Sequence, residues 1–137
     1  VVEFVRSCVE KKGFKTMIEP SIRDSRLGLR KPDLIIYDVK AYVVDATIVS
    51  DSASMDAAHE QKTTYYQQPV ISRWVKRCTS VSKVEYSAVA ANWRSLILSA
   101  SGAFLRKTLG FSPRQLALLS LKVAEGSAAI HKFFNKW

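Results

Sequence analysis

Soft metal ligands are scarce in this sequence: its 137 residues include two cysteines and two histidines. Cys8 and Cys78 stand apart, and His59 and His131 form no ligand-spaced cluster with them, which excludes a zinc finger and gives no disulfide framework. No apolar run reaches the roughly 18 residues that a membrane-spanning helix needs, so no membrane partner is expected. Internal repeats and low-complexity tracts are absent. The N-terminus VVEFVRSC has neither an initiator methionine nor a signal-peptide layout, so residues 1–137 read as one domain cut from a longer chain.

Acidic residues are missing from one half. Residues 1–67 hold ten basic and ten acidic side chains, whereas residues 68–137 hold eleven basic and two acidic, so the whole net charge of +9 lies in the second part. Few of those positive charges can be neutralised internally, and nucleic-acid phosphate is the expected counterpart. A 47% apolar content supplies enough material for a packed core. The division of charge suggests catalytic elements in 1–67, with a basic, mostly helical part in 68–137 completing the fold.

Periodicity predicts a first amphipathic helix over residues 2–12, with Val2, Val5, Cys8 and Val9 on one face and Gly13 as its stop. FKTMIEP reads as an edge strand ended by Pro20, and SIRDSRLGLRK as a mobile, phosphate-facing loop with Arg23, Arg26, Arg30 and Lys31. DLIIYD and AYVVDATIV read as a hairpin across Asp38-Val39-Lys40. A helix then runs to about Gln68 with Met55, Ala58, Lys62, Tyr65 and Tyr66 facing inward. In the next helix Ile71, Trp74, Val75 and Cys78 lie opposite a basic stripe of Arg73, Lys76 and Arg77. KVEYSAVAANW is another strand. Ser112-Pro113-Arg114-Gln115 has the layout of a capping box opening a long helix, whose core face is Leu116, Leu119, Val123, Ile130 and Phe134, with Gly126 allowing close approach of a neighbour.

Two aspartates interrupt this apolar pattern. Asp33 and Asp45 sit in adjacent predicted strands, and a carboxylate there costs several kcal/mol unless it is paired, hydrogen-bonded or holding a metal. Alternation puts Val43, Asp45, Thr47 and Val49 on one face of the second strand, and the phase of the following helix brings Lys62 inward.

Helix, antiparallel strands, Pro32-Asp33, a second acid one strand later and an inward lysine together resemble the PD-(D/E)XK nuclease core. The departure is at Asp45-Ala46-Thr47, where the superfamily pattern has lysine at the third position; some members carry that lysine on the next helix, as Lys62 would be. Lys31-Pro32-Asp33, Asp45 and Lys62 more closely resemble the restriction-like endonuclease domain of site-specific non-LTR retrotransposons, the group that inserts into ribosomal-RNA genes. The likeness is good over residues 20 to 70 and general elsewhere.

That resemblance implies an α/β fold with a central mixed sheet flanked by helices. It implies a nuclear, Mg²⁺-dependent endonuclease, Mn²⁺ serving as substitute, that nicks double-stranded DNA to give a 3′ hydroxyl for target-primed reverse transcription. Asp33 and Asp45, with the Ala46 carbonyl, would hold metal, and Lys62 would be catalytic. Tyr65 and Tyr66 would support the site; Arg23, Arg26, Arg30, Lys31, Arg73, Lys76 and Arg77 would hold DNA; Glu3, Glu10 and Glu19 are lesser candidates for ligands. Partners would be the reverse transcriptase and nucleic-acid-binding regions of the same polyprotein, with dimerisation allowed. Other readings stay open at this level. Asp33 could bridge Arg30 or Lys31, Asp45 and Lys62 could form a structural ion pair, and the basic stripe could be a solvated face. The function could then be a non-catalytic DNA-binding module, or a junction-resolvase-like nuclease.

Overall fold

The computed structural model describes residues 1–49, 54–92, 94 and 96–135, with backbone alone from 126 onward. Gly126, Ile130 and Phe134, assigned above to the last helix, therefore lie outside the described side chains, as does His131.

Chain order is α1 (Val2–Lys11), β1 (Lys15–Ile18), β2 (Ile22–Asp24), β3 (Gly28–Arg30), β4 (Leu34–Tyr37), β5 (Ala41–Val49), α2 (Met55–Tyr66), α3 (Pro69–Thr79), β6 (Val84–Asn92), α4 (Ser99–Ala103), a π-helical turn (Phe104–Thr108) and α5 (Pro113–Asn135). Four strands form one mixed sheet in the order β1-β4-β5-β6; β1 and β5 are antiparallel to β4, and β6 is parallel to β5. The parallel pair requires a crossover, which α2 and α3 provide.

Helices cover both faces of this sheet. On one face Val5, Cys8 and Val9 of α1 pack with Leu34, Ile36, Val44 and Val89 from three strands and with Leu105, Leu109, Phe111 and Leu119. On the other, Ile35 and Val43 meet Tyr66, Ile71 and Val75 of α2 and α3. Strand alternation dictates this split, since consecutive residues of β4 and β5 go to opposite clusters. Burying each such aliphatic side chain contributes about 1.5 to 3 kcal/mol, and β4 has three in a row, Leu34 to Ile36, at 1% exposure or less. The architecture is α/β with a central mixed sheet flanked by helices, as the sequence suggests.

Three local expectations change. SIRDSRLGLRK is not an open loop: Ile22–Asp24 and Gly28–Arg30 pair antiparallel as a second, two-stranded sheet. Its turn is closed by the Asp24 carboxylate, which accepts from the amides of Arg26 (2.9 Å) and Leu27 (3.0 Å), and by Gly28 at φ 75°. Cys78 is exposed rather than on the apolar face of α3, because the buried stripe there is Ile71 and Val75. Tyr65 is also turned outward, at 44% exposure. The capping box is present as read: Ser112 N–H donates to Gln115 Oε1 (2.9 Å), and Gln115 N–H donates to Ser112 Oγ (3.1 Å).

Candidate active site

The ladder between β4 and β5 runs from Tyr37–Ala41 to Leu34–Val44 and stops there. Continuing the register would put Asp33 opposite Asp45 and Pro32 opposite Ala46. Proline has no N–H to donate, so the ladder cannot take its next bond. The Asp33 carboxylate fills half of that gap, Oδ2 accepting from the Ala46 amide at 2.8 Å. Because N–H and C=O of one strand residue point to the same side, the Ala46 carbonyl is left facing the same end of the hairpin. Lys31-Pro32-Asp33 thus opens the sheet where the acids lie.

Asp45 is 4% exposed, and its Oδ1 accepts from the Asp33 amide at 3.3 Å. Lys62 Nζ reaches the other oxygen, Oδ2, at 3.2 Å from the middle of α2. Residues 33, 45 and 62 therefore meet. Burial first, then the neighbouring Asp33, pushes the Asp45 carboxyl up to about 6, and Lys62 pulls it down without restoring an ordinary value.

Tyr66 is 7% exposed, and its hydroxyl donates to the Lys31 carbonyl at 3.1 Å, tying α2 to the Lys31-Pro32-Asp33 turn. Burial, reinforced by Asp45 and Asp33, raises its pKa, so it remains a protonated donor. Arg30, a candidate DNA contact, lies 4.0 Å from the centre of the Tyr65 ring, with one guanidinium nitrogen donating to Leu27 O at 2.7 Å. Arg23, Arg26, Lys31, Arg73, Lys76 and Arg77 are exposed. Arg26 and Arg73 line one cleft of about 370 Å³ between the β2–β3 turn and the start of α3. Glu3 pairs with Arg6 (2.7 Å), and Glu10 accepts from Thr16 (2.6 Å), which gives both acids partners on the α1 side. His59 is half-buried on α2, and Thr63 donates to its carbonyl.

Among the described residues no group of three or more His, Cys, Asp or Glu could hold a metal. The donor set at the hairpin end is two carboxylates and a main-chain carbonyl, the hard oxygen chemistry that suits Mg²⁺, which keeps several of its waters.

No family model matches the chain. Over 139 residues it is 30% identical to the Retrovirus-related Pol polyprotein from type-2 retrotransposable element R2DM of Drosophila melanogaster, covering 98% of this chain and 13% of the fly protein. A second relative, the Retrovirus-related Pol polyprotein from type-1 retrotransposable element R2 of Popillia japonica, is 32% identical over 141 residues, covering 96% of this chain and 27% of the beetle protein. The chain is homologous to a segment of R2 retrotransposon Pol polyproteins. It spans less than a third of the length of either relative. The R2 homology supports a non-LTR retrotransposon protein region.

Two features of this R2-like segment escape a reading of its sequence. Pro32 acts through the hydrogen bond it cannot make, which is visible only once Ala46 is known to be opposite. Gln61 lines a cleft of about 300 Å³ with Lys62, Tyr65 and Tyr66, a placement that follows from its position beside Lys62 but carries no motif.

Proposed function

We propose that this region is a divalent-metal-dependent DNA endonuclease with a restriction-endonuclease-like core, which nicks duplex target DNA and exposes a 3′ hydroxyl for reverse transcription by another part of the same polyprotein. The observation that carries the reading is the convergence of Asp33, Asp45 and Lys62 at the open end of the β4–β5 hairpin. Burial and the neighbouring Asp33 keep the Asp45 carboxyl raised beside its lysine. That residual imbalance is what a bound cation would relieve.

Asp33, Asp45 and the Ala46 carbonyl would hold Mg²⁺ or Mn²⁺. When bound, the ion supplies a Lewis acid for the phosphoryl oxygen and lowers the pKa of water. Lys62 stands between Asp45 and the open cleft, so its ammonium can pass from the carboxylate to a phosphate oxygen as negative charge builds there. Tyr66 holds α2 against the Lys31 carbonyl and thereby fixes the distance from Lys62 to the acids. Arg26 and Arg73 flank a groove in which a phosphate would meet both, and Arg23, Lys31, Lys76 and Arg77 extend the positive surface on either side.

Incubation of the protein with supercoiled plasmid tests this. Nicked circles are expected with Mg²⁺ or Mn²⁺ and none with EDTA. Binding without nicking under every metal condition would favour a DNA-binding module.

A further inference from the structure

Tyr65 is exposed at 44% beside the acid site, and two neighbours pack against its ring. Its neighbour Tyr66 meets it edge to face, with centroids 4.9 Å apart and planes at 89°, and Tyr66 is itself anchored through Lys31. The Arg30 guanidinium lies 4.0 Å from the Tyr65 centroid; its Nε is buried without a hydrogen-bond partner, so packing rather than hydrogen bonding at that atom fixes the plane. Arg30, from β3, packs over the ring of Tyr65, from α2, and makes it a ledge backed by a positive charge. The cleft of about 300 Å³ at this ledge is lined by Gln61, Lys62, Tyr65 and Tyr66. Its Lys62 is the same side chain that reaches Asp45 at 3.2 Å.

We infer that this cleft receives one unpaired nucleobase adjoining the phosphate at the acid pair. The preferred DNA therefore carries an unstacked nucleotide at that position and is not continuous B-form duplex. Tyr65, backed by Arg30, supplies the stacking surface, Gln61 an amide able to donate to and accept from a base edge, and Lys62 a charge for the flanking phosphate. Stacking on an aromatic is tolerant of base identity, whereas unpairing is cheapest where the duplex is already interrupted, so the ledge selects DNA shape more than sequence. The inference rests on the nuclease reading only for which phosphate lies next to the base.

Binding in EDTA separates the two ideas, since it needs neither metal nor cleavage. Affinities are compared for one oligonucleotide duplex fully paired and for the same duplex with a single unpaired 2-aminopurine nucleotide. Expected is tighter binding of the unpaired form, with 2-aminopurine fluorescence quenched on binding as the base stacks. Tyr65→Ala should shrink the affinity ratio by about 5-fold to 100-fold and abolish the quench, while Tyr65→Phe keeps both. A wild-type ratio of one, or a ratio and quench unchanged in Tyr65→Ala, would overturn the inference even if the protein nicks DNA. A Tyr65-dependent ratio in a protein that never nicks would sustain it and sink the nuclease reading instead.

Discussion

Because burial and Asp33 raise the Asp45 carboxyl to about 6 in the fold, against an ordinary value near 4 in the unfolded chain, the native state binds more protons than the unfolded state between those values. For this group alone, metal-free stability is greatest below about pH 4, declines as pH rises to about 6, and stays lower above it. Asp45→Asn removes the titration: urea melts in EDTA should lose that decline, and the variant should gain about 2 kcal/mol relative to wild type at pH 7. An unchanged pH profile would assign the titration to another group. Lys62 gives a complementary expectation. Lys62→Ala should cut nicking by roughly 100-fold or more with the fold retained. A structural pair would instead make Lys62→Met lose about 3 to 5 kcal/mol of stability, which denaturant melts would detect. Both acids and the lysine are legible in the sequence because a charge inside an apolar pattern demands a partner. The stacking of Arg30 is not, since nothing in the chain pairs it with a tyrosine 35 positions later.

At the scale of elements, the β4–β5 hairpin is readable because its connection is too short for a crossover, and β6 because Val84-Glu85-Tyr86-Ser87 alternates into the apolar run from Ala88 to Ala91. The β2–β3 hairpin is hidden: its strands have three residues each and bury one side chain fully, Ile22 at 1% exposure, so no alternation builds up. Only the aspartate and glycine of its turn hint at it. The short segment from α4 to the π-helical turn is equally obscure. Ser101, 0% exposed, donates to Ala88 O at 2.6 Å and accepts from the Ala90 amide at 2.9 Å, fastening α4 to β6. Ser101→Ala leaves those two main-chain groups unsatisfied and should cost about 1 to 3 kcal/mol in a denaturant melt. The strand also offers a geometric test of the displaced lysine: residue 47 shares the face of Asp45, so Thr47→Lys combined with Lys62→Ala should recover part of the nicking lost in Lys62→Ala alone.

For the molecule as a whole, charge is the property read most directly from the sequence, and its placement is what the fold adds. Arg73, Lys76 and Arg77 are exposed on α3, and the cleft shared by Arg73 and Arg26 joins that helix to the β2–β3 turn, so two separate basic stretches become one surface. Duplex affinity should fall with salt at a log–log slope of about −0.9 per phosphate neutralised, and the triple alanine variant of α3 should flatten it. An unchanged slope would make the stripe solvated surface only. The acid site is distinct from this grip, and the most direct measurement of the central proposal compares Asp45→Asn with wild type in Mg²⁺ at equal DNA occupancy. Expected is a loss of nicking by about 100-fold or more with duplex affinity retained. Equal nicking rates in the two proteins would contradict the assignment of the chemistry to the Asp33–Asp45–Lys62 site.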